Sequence, residues 1–268
     1  MTPTRLFSAP DSTAGSSRPD PPYGAVCAIH QPNLFPRLST LAKLFTADYW
    51  IVLDDVQFAR RDYQHRTRLA GLDGTRQWLS IATRLPDGRS TLIRDARLAD
   101  PRRCRRRVAQ LLADHYRHSA YWPLFKRRLG SVLDLFDSGD RLADVTELST
   151  RLLLEEVGWT GRILRSSDLP ARKDRSQRLA DLAWLTGATR YLCGTGGMTY
   201  LDLDAFSAYS IEVLPFRVPG TGIWRSAREV SAVDALLLVG PGALRATLTA
   251  LQGRVLTSHE DALKRACR

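Results

Sequence analysis

The stretch between residues 25 and 53 limits the fold more than any other part of the chain. An apolar, partly β-branched run at 25–29 ends at His30-Gln31-Pro32-Asn33, where proline breaks the ladder. A short helical pattern follows over 38–45, and a second apolar run fills 49–53. Strand, loop, helix and strand within about 30 residues make a βαβ unit, which calls for a parallel sheet. In such units ligands bind beyond the carboxyl ends of the strands. Those ends are His30-Gln31-Pro32-Asn33 and Asp54-Asp55, so function is sought there first.

The rest of the chain extends this pattern. Residues 78–82 read as a third strand. From 100 to about 160 the periodicity is helical, opened by the cap Asp100-Pro101 and continued over 121–136 and 142–157, where Gly158 stops it. Alternation returns with a helix at 175–185, a strand at 189–193, the glycine-rich turn Gly194-Thr195-Gly196-Gly197, a strand at 212–218 and a helix at 230–238. The expected fold is α/β, with a central mostly parallel sheet, flanking helices and an inserted helical subdomain over about 100–160. Residues 1–22 read as a disordered leader, 23–257 as one catalytic domain, and 258–268 as a basic tail.

Charge narrows the function. Lys and Arg number 39 against 28 Asp and Glu, a net charge of +11, and only four of the 39 are Lys. An excess of this size steers anionic partners: nucleic acid, a phosphorylated substrate or an acidic carrier protein. The runs at 102–107 and 126–128 place such charge on helices, and Tyr116, Tyr121 and Trp122 nearby keep tRNA as a lesser alternative. No apolar run reaches the roughly 18 residues of a membrane span, and no secretory signal is present, so a cytoplasmic protein is expected. The cysteines, Cys27, Cys104, Cys193 and Cys267, form no CxxC pair and suggest no metal site.

The densest polar cluster runs from Asp54 to Arg68. Asp54, Asp55, Gln57, Arg60, Gln64 and Arg66 combine carboxylate, amide and guanidinium groups beside a strand end, which suits a polar substrate. Adjacent acids in that position equally serve as structural ion-pair partners. The turn at 194–197 offers backbone N–H groups to an anion but lacks the lysine of a P-loop.

The segments Ile29-His30-Gln31-Pro32-Asn33-Leu34-Phe35-Pro36 and Leu53-Asp54-Asp55-Val56-Gln57-Phe58 resemble the paired HQPN and DDVQF signatures of the WbqC-like family. The likeness covers about residues 25–220. Substrate contacts are expected at Gln31, Asn33, Asp54, Asp55, Gln57, Arg60, Gln64 and Arg66, with His30 among the catalytic groups. Members occur in O-antigen clusters, where glycine transfer has been suggested. Cys27, His115 and Glu147 depart from the family pattern, and together they supply a thiol, an imidazole and a carboxylate, the parts of a cysteine-nucleophile triad. His30 is the competing base. The expectation is therefore an amide-forming acyltransferase, similar to the condensing enzymes of lincosamide antibiotic pathways. A thioester on the phosphopantetheine arm of an acidic carrier protein would acylate Cys27, and the amine of a small molecule such as an amino sugar would take the acyl group; no bound cofactor is expected. The alternatives are aminoacyl transfer to a sugar without a thiol intermediate, and nucleotidyl transfer.

Overall fold

A computed structural model describes residues 24–266, with side chains as far as Thr257. The leader expected over 1–22 and Cys267 lie outside the described residues. The first βαβ unit forms as the sequence suggests: β1 (Val26–His30), α1 (Leu38–Thr46) and β2 (Tyr49–Val52). A meandering segment follows, holding β3 (Arg66–Leu69), β4 (Gln77–Ser80), β5 (Thr83–Arg84) and β6 (Arg97–Leu98). Three helices come next, α2 (Pro101–Tyr116), α3 (Trp122–Ser138) and α4 (Leu142–Glu156). The chain then alternates through β7 (Arg162–Arg165), α5 (Arg175–Leu185), β8 (Arg190–Gly194), α6 (Asp204–Ser207) and β9 (Glu212–Phe216). It closes with α7 (Ala232–Val239) and α8 (Pro241–Ala266). Where a basic tail is expected from 258, the backbone thus stays helical to Ala266.

The main sheet has five strands in the order β7-β2-β1-β8-β9, all parallel, and is flanked by the helices. This is a doubly wound α/β fold. Numbered along the chain the order is 3-2-1-4-5, so the winding reverses between β1 and β8. The expected third strand does form, as β4, but it pairs antiparallel with β3 outside the main sheet. The third place is taken by β7, whose half-buried Arg-Ile-Leu-Arg covers an edge and carries little apolar signal.

Strand alternation sorts β1 between two cores. Val26 and Ala28 join the larger one with α1–α4, α7 and α8, while Cys27 and Ile29 join the smaller one with α5 and α6. Facing both ways, β1 and β2 have no solvent side, which explains their unbroken apolar runs.

Neighbouring strands part at the point of reversal. β1 pairs with β2 at four positions, but with β8 only at Val26↔Arg190 and Cys27↔Tyr191. Beyond these positions the carboxyl ends of β1 and β8 border a cleft.

Candidate functional site

The cleft at this reversal point has a volume of about 530 Å³, within the roughly 300–1,000 Å³ common for small-molecule sites. Its β1 wall is made by His30, Gln31 and Asn33, its floor by Lys43, and its β8 wall by Cys193 and the loop Gly194–Gly197. Arg37, Arg175, Arg217 and Arg228 also line it, against one carboxylate, that of Asp62.

The loop between β1 and α1 is held from several sides. Phe35 is buried with φ at 43°, a left-handed conformation that a bulky residue adopts only under constraint. Its N–H donates to Ser149 Oγ on α4 at 3.0 Å. Its carbonyl accepts from Thr67 Oγ1 on β3 and from Ser231 Oγ at the start of α7, each at 2.9 Å. The Asn33 carbonyl accepts from Thr150 Oγ1 at 3.0 Å, and the Leu34 N–H donates to the Tyr63 carbonyl at 3.0 Å. Four separate segments therefore fix the path that carries His30, Gln31 and Asn33 past the cleft. Gln64 acts behind it: its Nε2 donates to Gln31 Oε1 at 2.8 Å, while its Oε1 accepts from the Ala59 N–H at 2.9 Å.

His30 sits at the close of β1 with Nδ1 2.8 Å from the Gln31 carbonyl oxygen. A carbonyl only accepts, so Nδ1 carries the proton and Nε2 is left as an acceptor. Burial first, and the nearby Lys43 ammonium second, push the imidazole down to about 3. It is neutral at physiological pH.

Lys43 was not legible as a site residue. It lies on α1, is 6% exposed, and donates from Nζ to the Ile29 carbonyl at 3.1 Å. Burial lowers its amine to about 8, partly offset by the thiols of Cys193 and Cys27, so at pH 7 it remains mostly charged. The available signal was a lysine inside a helix whose other residues, Ser39 apart, are all buried, in a chain with only four lysines among its 39 basic residues.

The β8 wall depends on close approach at Gly197. A Cβ there would stand 2.5 Å from Cys193 Sγ. The N–H groups of Thr195 and Gly196 make no hydrogen bond among the described residues. Burial raises the Cys193 thiol and Lys43 partly opposes this, so the group is a neutral wall rather than a ready nucleophile. Asn33, 3% exposed, has its carboxamide Oδ1 buried and unpaired.

The remaining residues singled out from the sequence lie elsewhere. Asp54 accepts from Ser166 Oγ at 3.1 Å, from the Ser167 N–H at 3.1 Å and from Ser167 Oγ at 2.9 Å. Asp55 pairs with Ser166 and with the Arg178 guanidinium. Both carboxylates thus tie the end of β2 to the residues after β7 and to α5. Gln57 Nε2 donates to the Arg89 carbonyl at 2.6 Å, Arg60 is exposed, and Arg66 stacks over Trp78 at 4.6 Å.

Nor does the structure assemble Cys27, His115 and Glu147. Cys27 is fully buried in the smaller core, where desolvation pushes its thiol up to about 12 despite a hydrogen bond from Thr186. His115 lies on α2, with Nε2 2.9 Å from Gln77 Oε1. Its helix packs into the larger core, on the other face of β1. Glu147 Oε2 accepts from Arg165 Nε at 2.7 Å, and desolvation raises its carboxyl. The three groups meet three different sets of partners, and alternation along β1 turns the thiol away from the helical insert. Among the described residues no group of three His, Cys, Asp or Glu could hold a metal ion, and no helix is long and apolar enough to cross a membrane.

Comparison with known proteins places this chain in a family. The chain is 26% identical over 231 residues to the uncharacterized protein Rv1507c of Mycobacterium tuberculosis, covering 80% of this chain and 93% of that one. No solved structure matches. The model of the WbqC-like protein family matches residues 31–246, from the Gln31 wall of the cleft to the start of the last helix, and the chain belongs to that family.

Proposed function

We propose that this chain is an amide-forming acyltransferase whose active site is the cleft between β1 and β8, with neutral His30 as the base. One observation carries this reading: an imidazole with a bare acceptor nitrogen, kept unprotonated by burial and by a lysine, lines a cationic cleft at the reversal point of the sheet. General-base work needs an unprotonated acceptor nitrogen; burial also makes this ring a weak base, so the proton must pass straight to the leaving group rather than rest on the imidazole.

In this reaction the donor is a thioester, brought on the phosphopantetheine arm of an acidic carrier protein. The acceptor amine attacks the thioester carbonyl, forming the C–N bond as the C–S bond breaks. His30 Nε2 takes the proton that the amine loses and passes it to the departing thiolate. The Lys43 ammonium offsets negative charge that develops on the carbonyl oxygen. Direct transfer fits better than a Cys27 acyl-enzyme, because the Cys27 thiol is buried and hard to ionise.

The carrier's docking face is assigned to α2 and α3. There Arg102, Arg103, Arg106, Lys126 and Arg127 are exposed without a carboxylate partner among the described residues, and Tyr121 and Leu124 are exposed beside them. Turnover of an aminoacyl carrier protein with an amino sugar, followed by mass spectrometry, tests the proposal. His30→Gln is expected to lose at least a hundredfold in kcat while Cys27→Ala keeps it. Full turnover by His30→Gln sinks the assignment of the base.

A further inference from the structure

We infer that the cleft binds a nucleoside diphosphate group, and that the amine acceptor enters attached to one. This rests on the cleft being the active site, but its evidence is separate from the base.

First, the charge lining the cleft is unspent. Arg37, Lys43, Arg175, Arg217 and Arg228 have no carboxylate partner among the described residues. Several arginines outside the cleft are paired, as Arg68 and Arg76 are with Glu229 and Arg105 is with Asp137, whereas the cleft shares with the α2–α3 face a group of cations without carboxylates. Five cations facing a single aspartate suit a ligand with two or more negative charges, and the unused N–H groups of Thr195 and Gly196 add donors on the same side. The start of α1 offers no rival anion site. Its Leu38 and Ser39 N–H groups already donate to the carbonyls of Val230 at 3.2 Å and Ala227 at 2.9 Å.

Second, the wall carries a stacking surface. The Arg175 guanidinium lies 3.5 Å from the centroid of the Tyr200 ring, both residues line the cleft, and Tyr200 is 46% exposed. A guanidinium seated over an exposed phenol ring offers a planar base a cationic and aromatic surface to stack on. Neither a free sugar phosphate nor inorganic phosphate has a use for it.

Third, the β1 wall holds two acceptors without donors: His30 Nε2 and the buried, unpaired Asn33 Oδ1. A buried acceptor left empty costs about 1–3 kcal/mol, and an amine carries the N–H donors that each of these acceptors lacks. Phosphates at the β8 side, a base over Arg175 and Tyr200, and an amine at His30 and Asn33 together describe an amino group carried on a nucleotide-linked scaffold. The acceptor class is thus a nucleoside-diphosphate amino sugar.

Calorimetry on the full chain with UDP, ADP and inorganic pyrophosphate tests this. At least one nucleoside diphosphate is expected to bind tenfold or more tightly than pyrophosphate at equal ionic strength. Tyr200→Ala is expected to remove most of that difference, with pyrophosphate binding unchanged. Arg217→Ala, on an exposed side chain, is expected to weaken nucleotide and pyrophosphate alike. Equal affinity for nucleotide and pyrophosphate, or no binding of either at millimolar concentration, overturns the inference. The two proposals fail separately. Acylation of a free amino sugar by a protein that ignores nucleotides leaves the acyltransferase and removes the nucleotide. Nucleotide binding with no acyl transfer does the reverse.

Discussion

Replacing Lys43 by Met separates a functional charge from a structural one. The two side chains have similar length and volume, so the helix packing of α1 is kept. Burial moves the amine from the ordinary 10.5 to about 8, which corresponds to roughly 3 kcal/mol of destabilisation at neutral pH. Against this stands one hydrogen bond to the Ile29 carbonyl, worth about 1 kcal/mol. The variant is therefore expected to be more stable than the wild type by about 2 kcal/mol at pH 7, or roughly 4–8 °C in Tm for a domain of this size. The difference shrinks with pH in a defined window. Above pH 8 the folded amine sheds its proton while the unfolded one keeps it to 10.5, so wild-type stability climbs and the gap closes. Thermal unfolding at pH 7 and pH 10, beside nucleotide binding and turnover, is the assay. A stabler variant that has lost binding marks Lys43 as a charge kept for function. A variant several kcal/mol less stable at pH 7 refutes the reasoning, because Lys43 would then be a structural keystone.

Three further outcomes are expected. Cys27→Ala costs about 1–2 kcal/mol in urea unfolding, from the cavity left in the smaller core, and leaves kcat unchanged. Ser149→Ala removes the acceptor of the Phe35 N–H; a loss of about 1–3 kcal/mol, with kcat falling as the loop of His30 loosens, is expected from unfolding and steady-state kinetics. Asp54→Ala leaves Ser166, Ser167 and the end of β7 without their shared acceptor, which costs about 3 kcal/mol in the same unfolding experiment; an unchanged midpoint would contradict its structural role.

Much of the scaffold is legible in the primary structure because β1 and β2 are buried on both faces and announce themselves as apolar runs. The edge strand β7 is not, since an edge tolerates arginine at both ends. The βαβ pattern also points to His30, Gln31 and Asn33, and all three line the cleft. The adjacent acids misled in the ordinary way, since carboxylates at a strand end also tie strands together, as Asp54 and Asp55 do here. The cationic cleft was hidden because residues 37, 43, 175, 217 and 228 meet only once the sheet is ordered. The triad fails for a related reason. Alternation says that Cys27 and Ile29 share a face, but no local pattern says that the helical insert covers the other one.

A direct measurement of the central claim is the imidazole 15N spectrum of His30, followed from pH 7 down to pH 4. A neutral ring with its proton on Nδ1 throughout is the expected result. A midpoint near the ordinary 6.5, or a proton on Nε2, would contradict a neutral base poised in the cleft.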